Sequence, residues 1–276
     1  MKRYATYALC LPLTAALLAA CGGGGTTTGP TPTGPAASTI TTLNGTVRGW
    51  TGGTSTVELL AQSFETKSAT NPALASATLT AGGTFALTLP SLATITPYLS
   101  AARSAAESIS SGGPGCTGAL TNSDPTEQGY GFSALSTGST GVRTYDLVVT
   151  PATATTPATA TFSDRLWLYV TKPTTFGGSA VCTDTSTGIV TTISFNAPVM
   201  QGWNVIAVIG TLVIPTGSTS GTGTVNYSTV SDASTIWYLP QAVPVGAQSF
   251  QIRSAAASFA SAQATFGKLL GGHFRF

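Results

Sequence analysis

Charged residues are scarce in this chain. Lys, Arg, Asp and Glu make up 7% of its 276 residues, against about 25% in a typical soluble domain. Without Lys2 and Arg3, the chain holds nine basic and nine acidic residues. A neutral chain with scattered charges offers no basic patch for nucleic acid and no polybasic cluster for an anionic membrane surface. Nucleic acid is therefore excluded as a partner.

Histidine is scarcer still, because His273 is the only one. A single histidine excludes multi-histidine zinc or copper centres within one chain. A Ser-His-Asp triad would depend on a residue close to the C-terminus, where chains tend to fray. The sequence also lacks Gly-x-Ser-x-Gly, Ser-x-x-Lys and the Gly-x4-Gly-Lys phosphate loop. We therefore predict no catalytic residues, no metal ligands and no cofactor.

No hydrophobic run is long enough to remain as a membrane helix. The most apolar stretch, Ala5 to Ala20, follows Lys2 and Arg3 and falls short of the roughly 20 residues that a spanning helix needs. A basic start, a short apolar segment and small residues at its end are typical of a cleaved secretory signal.

This apolar run ends in Leu18-Ala19-Ala20-Cys21, which resembles the lipobox of bacterial lipoproteins. The resemblance implies a signal peptide over 1–20, acyl chains such as palmitate on Cys21, and a membrane anchor of two or three chains. Gly22 stands where Asp would signal inner-membrane retention in some bacteria, so the resemblance favours the outer membrane or cell surface, facing the extracytoplasmic side. The alternative is an ordinary signal peptide with a cysteine there by chance.

Cys116 and Cys182 are the cysteines left once Cys10 is removed with the signal and Cys21 carries lipid. An even pair in an oxidising compartment predicts a structural disulfide. A redox or metal role would need a second thiol or histidines nearby. The Gly/Thr/Pro-rich residues 21–39 predict a flexible tether between the anchor and the folded part.

Short apolar or alternating runs separated by glycines begin at Ile40 and predict β-strands. The first four are 45–50, 55–60, 75–79 and 84–89. The GTV and VEL strands and the hairpin TLTAGGTFALTLP within residues 43–90 resemble the carboxypeptidase-regulatory-like, transthyretin-type β-sandwich. That family often has Asp-Gly where this chain has Gly82-Gly83. The resemblance implies a structural or binding module without an active site.

A short helix is predicted after this region. Thr96 and Pro97 suit the start of a helix, and Leu99, Ala102, Ala106 and Ile109 follow near helical spacing. Strands are then predicted at 144–150, 165–171, 188–195, 204–214, 222–230 and 235–239.

We therefore predict an all-β fold of one or two antiparallel β-sandwich domains with a short linking helix. The expected divisions are a small module at 40–97, a sandwich domain at 98–246 and a C-terminal tail at 247–276 that packs on the sandwich.

The acidic residues suggest local roles. Asp164 beside Arg165, and Asp146 near Arg143, predict ion pairs or turn contacts. Asp184 to Gly188 predicts an Asx-type turn. Two carboxylates would suffice for glycoside hydrolysis, but the sequence does not tell which acids approach one another.

The tryptophans are the other candidate site residues. Trp167 and Trp203 lie within apolar strands and are predicted to belong to the core. Trp50 borders glycine-rich turns, where an exposed indole could stack on a sugar ring.

The functional prediction is a lipid-anchored cell-envelope protein with a structural or binding role and no catalysis. Its expected partners are the membrane, through the lipid, and envelope proteins or glycans. One alternative is a carbohydrate- or peptidoglycan-binding module that uses Trp50. The second alternative is a carboxylate-based hydrolase.

Overall fold

Buried and exposed side chains alternate along most strands of the described residues. A computed structural model describes residues 37–62, 68, 70–101, 116–138, 140–185, 188–231 and 234–239, all within a unit that spans Pro35–Phe276. The strands are β1 Thr42–Arg48, β2 Ser55–Leu60, β3 Ala73–Leu79, β4 Thr84–Thr88, β5 Ser100–Ala101, β6 Cys116–Asn122, β7 Gln128–Phe132, β8 Ala134–Ser136, β9 Gly141–Arg143, β10 Asp146–Thr150, β11 Ala158–Val170, β12 Thr174–Asp184, β13 Ile189–Val199, β14 Gly202–Ile214, β15 Thr222–Val230 and β16 Ser234–Tyr238.

The strands form two curled sheets, and the predicted all-β fold with a short helix is confirmed. Sheet A has the order β5-β7-β11-β14-β15-β13-β12-β6, with β10 also paired to β11. Sheet B has the order β3-β2-β8-β9-β16-β1-β4. Most pairs are antiparallel, but β13 pairs with β15 and β1 with β16 in parallel.

The short helix lies one turn earlier than predicted. It spans Leu92–Ile95 and is followed by a single 3-10 turn, Thr96–Tyr98, with Pro97 near its start. Leu99 is extended, at φ −66° and ψ 137°, so the expected helix does not run on from Thr96 through Leu99. Its remaining positions, 102–109, lie outside the described residues.

Residues 40–97 do not form a sheet of their own. Strands β1 to β4 occupy sheet B together with β8, β9 and β16, which come from the region predicted as the second domain. The two regions are joined by the parallel pairing of β1 with β16, in which Val47 is the register partner of Trp237. The sheet boundary therefore does not follow the expected boundary at residue 97. The tail at 247–276 lies outside the described residues.

Strand β11 contributes to a different core on each of its faces. Phe162, Leu166 and Leu168 point into the core inside curled sheet A. Trp167 and Tyr169 belong to the core between sheet A and sheet B. Because successive side chains of a strand point to opposite faces, the run LWLYV is buried on both sides and holds the two cores together.

Aromatic rings fill the core between the sheets. Trp167 stacks on Phe132 and on Trp237, with ring centroids 5.4 and 5.1 Å apart. Three rings pack edge to face around Trp203: Phe132 again, together with Tyr130 and Tyr169. Each such pair stabilises the folded state by about 0.5–1.5 kcal/mol beyond the contribution of its buried area. We name these residues, together with Phe85, the aromatic cluster.

The disulfide predicted between Cys116 and Cys182 is present. The two cysteines are direct partners on antiparallel strands β6 and β12, and both are buried in the core inside sheet A. Because β6 ends the strand order of sheet A, the bond ties an edge strand to its only neighbour in that order.

Gly45 in β1 makes room for the aromatic cluster. A Cβ atom at this position would lie 2.3 Å from Cζ of Phe85 and 2.7 Å from Nε1 of Trp237. Both rings are buried, so neither can move aside without disturbing its neighbours. A glycine is required here by packing and not by backbone conformation.

We therefore expect Gly45→Ala to lower the free energy of unfolding by about 1–3 kcal/mol, the usual cost of overpacking a core. Urea unfolding followed by tryptophan fluorescence measures it. The matched control is Gly82→Ala, because a Cβ there meets no heavy atom nearer than Thr80 Oγ1 at 3.8 Å. Equal stability of the two variants would contradict this role of Gly45.

Candidate functional site

The outer face of sheet A is a broad neutral surface. Paired strands place side chains in rows across the sheet, about 4.7–4.9 Å apart from strand to strand. One row consists of Thr117, Val181, Thr192, Thr224, Thr211, Thr161 and Val148. A second consists of Thr183, Val190, Thr222, Val213, Thr159 and Thr150. Neither row contains a charged residue.

Between these rows and the far end of the sheet lies a third row with one charged side chain. It consists of Ala119, Ser179, Ser194, Asn226, Ile209, Ser163 and Asp146. Val148 and Ile209 are more than half exposed, at 57% and 51%. The three rows, which we call the outer face, thus offer hydroxyl groups and methyl groups, with Asp146 as their one charged side chain.

Asp164 is a carboxyl group buried inside sheet A, at 2% exposure. Its Oδ1 atom accepts hydrogen bonds from the hydroxyl of Thr144 and, at 2.8 Å, from the backbone N–H of Arg165. Burial raises the pKa of Asp164 to about 7, although these hydrogen bonds and the Arg143 and Arg165 guanidinium groups oppose the rise. Asp164 therefore changes charge near neutral pH.

Glu127 is a second buried carboxyl group, and it lies where two loops meet. Residues 122–128 contain the connection from β6 to β7, and residues 171–175 contain the connection from β11 to β12, each with the adjoining strand ends; we call these two segments the polar loop pair. Glu127 has no exposed surface, and neither of its carboxylate oxygens has a hydrogen-bond partner among the described residues. Burial is the main cause that raises the pKa of Glu127 to about 7.

The two carboxyl groups are far apart. Glu127 lies beside Gly129, which pairs with Val170 at the end of β11. Asp164 is six residues before Val170, which corresponds to about 20 Å along a strand. Carboxyl pairs in glycoside hydrolases are about 5–9.5 Å apart. The described acids with raised pKa values are thus not arranged as a hydrolytic pair.

The predicted core tryptophans are buried: Trp167 is 0% and Trp203 4% exposed. Trp237 is also fully buried. Trp50 is half-buried near the start of the β1–β2 turn. Its ring covers Gly52, and its indole N–H donates to the carbonyl oxygen of Gly53 at 2.7 Å. Trp50 is therefore the one tryptophan of the chain with substantial access to solvent.

The remaining acidic positions singled out in the sequence make local hydrogen bonds. Asp146 accepts a hydrogen bond from the Tyr238 hydroxyl at 3.3 Å. Asp184 ends β12, and its carbonyl oxygen accepts the N–H of Gly188 at 2.7 Å. Residues 186 and 187 of that turn lie outside the described residues, as do Cys21 and His273, so the lipid attachment stays a prediction.

Sequence reasoning did not single out Glu127, nor did it predict that Asp164 is buried. Asp164 does follow an alternating pattern, because it occupies an even position of β11 between Phe162 and Leu166. That periodicity was the available signal. Glu127 lies in a loop, where no periodicity applies.

The comparisons with known proteins return nothing: no protein-family model, no curated protein and no solved structure matches the chain. In the described part of the chain, no helix has the length and apolar character to cross a membrane. Within the same residues, no group of three or more His, Cys, Asp or Glu side chains could hold a metal ion.

Asp164 generates a pH prediction. Burial raises the pKa of Asp164 from its ordinary value of 3.8 to about 7 in the folded protein, so the folded state binds the proton more tightly. Its contribution to stability is complete below about pH 4 and is lost as the pH rises through about 7. We expect this loss, about 1–4 kcal/mol, to be absent in Asp164→Asn, which keeps an oxygen acceptor for Thr144.

Urea unfolding of both proteins at intervals from pH 4 to 8 measures the effect. Asp146→Asn is the control, because Asp146 is half-exposed at the edge of the sheet. Parallel stability curves for wild type and Asp164→Asn would contradict the prediction.

Proposed function

We propose that this chain is a lipid-anchored protein of a bacterial cell envelope, with a structural or binding role and no catalysis. The proposal places it on the outer membrane or cell surface, facing the extracytoplasmic side and held by acyl chains on Cys21. Support comes from the lipobox-like Leu18-Ala19-Ala20-Cys21. The disulfide between Cys116 and Cys182 adds weaker support, because disulfides persist in oxidising compartments.

The observation that carries the proposed role is the outer face. A surface of threonine, serine and aliphatic side chains across the strands of sheet A can contact uncharged partners through hydroxyl and methyl groups. A partner of high charge would lose hydration there and would meet a single charged side chain, Asp146. Envelope proteins or neutral glycans fit this surface better than nucleic acid or anionic lipid.

The arrangement of carboxyl groups supports a non-catalytic role over a carboxylate-based hydrolase. Asp164 and Glu127 are buried and about 20 Å apart by strand length. A hydrolase needs two acids that line one accessible cleft. Neither of these two groups has an exposed carboxylate.

A carbohydrate- or peptidoglycan-binding module is the second candidate, and Trp50 is the observation that favours it. Its indole is half-buried, while Trp167, Trp203 and Trp237 are buried. Sugar rings stack on exposed aromatic faces, and Trp50 is the indole of the chain that can offer part of one.

The proposed anchor is tested by the intact mass of protein extracted from membranes, for wild type and Cys21→Ala. We expect the wild type to lack residues 1–20 and to carry acyl mass that Cys21→Ala lacks. Cys10→Ala is the control, because Cys10 lies in the segment expected to be removed and its loss leaves the acyl mass unchanged. An unmodified wild-type mass would contradict the anchor. Turnover of glycoside or ester substrates by the purified protein would contradict the non-catalytic role.

The glycan-binding alternative predicts a change in tryptophan fluorescence when soluble peptidoglycan fragments or neutral oligosaccharides are added. The change should disappear in Trp50→Ala, because the remaining indoles are buried. Leu92→Ala is the control, since Leu92 is 41% exposed and lies in the short helix rather than in the β1–β2 turn. Fluorescence that no glycan alters would count against this alternative.

A further inference from the structure

The polar loop pair is closed by hydrogen bonds that lie before and after Glu127 in the chain. On one side, the N–H of Ser123 donates to the carbonyl oxygen of Thr175 at 3.1 Å, and the Thr175 N–H donates to the Ser123 hydroxyl at 2.8 Å. On the other, the Thr171 N–H donates to the carbonyl oxygen of Gln128 at 2.9 Å. Glu127 lies between these two sets of bonds along the chain and has no exposed surface.

No hydrogen bond of normal geometry reaches the Glu127 carboxylate from the described residues. The Thr171 N–H lies near enough to lower its pKa somewhat, but that N–H is already donated to Gln128. The carboxylate lies beside Gly129, where a Cβ atom would be 3.4 Å from Glu127 Oε1 and 3.4 Å from Cδ1 of Leu168. A neutral carboxylic acid tolerates such surroundings, whereas an ionised one loses its hydration without compensation.

Two charged groups of the described residues act on Glu127. Asp124, in the same loop, disfavours its ionisation, and Lys172, in the facing loop, favours it. The ammonium group of Lys172 donates to the Thr126 hydroxyl at 2.7 Å. Asp124 is held in place because its Oδ1 accepts the N–H and hydroxyl of Thr126, at 2.8 and 2.7 Å. Lys172 therefore acts on both acids, because its charge also helps to lower the pKa of Asp124.

We propose that the polar loop pair is a proton-controlled clasp at one end of curled sheet A. The clasp is closed while Glu127 carries its proton. Ionisation of Glu127 opens it, because water then reaches the carboxylate only if loop 122–128 separates from loop 171–175. Opening leaves the strands in place and exposes the end of the core inside sheet A. This property is independent of the proposed envelope role.

The direction of the pH effect on closure follows from the linkage between proton binding and closure. The pKa of Glu127 is about 7 in the closed state, against the ordinary value of 4.5 for a solvated carboxyl group in the open state. Below about pH 4 both states are protonated and closure is strongest. Well above pH 7 the carboxyl group is ionised in both states. The equilibrium constant for opening is then as much as a few hundred-fold higher than below pH 4.

Hydrogen–deuterium exchange with mass spectrometry, on the full chain in detergent micelles at pH 5 and pH 8, tests the clasp. After correction for the intrinsic pH dependence of exchange, we expect peptides covering 122–128 and 171–175 to exchange at least ten-fold faster at pH 8. Peptides from β13 and β14 serve as the internal reference and should change little. In Glu127→Gln, the two loops should exchange equally at both pH values.

Two variants separate the clasp from other effects. Glu58→Gln makes the same chemical change on β2 and should retain the wild-type response. Asp164→Asn should retain it too, because Asp164 lies elsewhere in sheet A. Loop protection in the wild type that is equal at pH 5 and pH 8 would overturn the proposal, whatever the variants do. A response that survives in Glu127→Gln would also overturn it.

Discussion

The packing of β11 on both of its faces is the constraint on which the rest of the structure depends. Its even-numbered side chains fill the core inside sheet A, and Trp167 and Tyr169 fill the core between the sheets. Trp167 stacks on Trp237 of β16, which pairs in parallel with β1. Through these contacts, strands from both ends of the described chain meet around one indole ring. Curling of sheet A and closure of sheet B on it therefore depend on the same strand.

The low charge of the chain has different consequences inside and outside the sheets. Outside, threonine supplies both the β-branched side chain that strands favour and a hydroxyl group for solvation, so the outer face needs no ions. Inside, few charges are available to compensate one another, and a buried acid is more easily left without a partner. Asp164 is held by a threonine hydroxyl and a backbone amide, and the Arg143 and Arg165 guanidinium groups also act to lower its pKa. Glu127 has neither, and its burial makes the loop region around it sensitive to protons.

The individual strands show which elements the local residue pattern predicts and which it does not. Strands 55–60 and 222–230 were predicted with the bounds that the structure has, because their alternation and flanking glycines are local signals. The turn at Gly82-Gly83 is also present, with the Gly83 N–H donated to the Thr80 carbonyl oxygen. Strands β6, β7 and β12 were not predicted individually. Segments such as TTFGGSAVCTD contain glycine and small polar residues that suggest turns, and they become strands because their neighbours supply hydrogen-bond partners.

The sequence by itself determined the all-β class, the cysteine pair available for a disulfide and the burial of Trp167 and Trp203, because alternation, β-branched residues and cysteine count are properties of neighbouring residues. Only the tertiary structure decided that β1 pairs with β16 across nearly two hundred residues, and that residues 40–97 share a sheet with later strands. It also decided that Glu127 has no exposed surface. Strand order and the burial of a loop side chain depend on contacts between distant segments, and no local pattern of residues specifies which segments will meet.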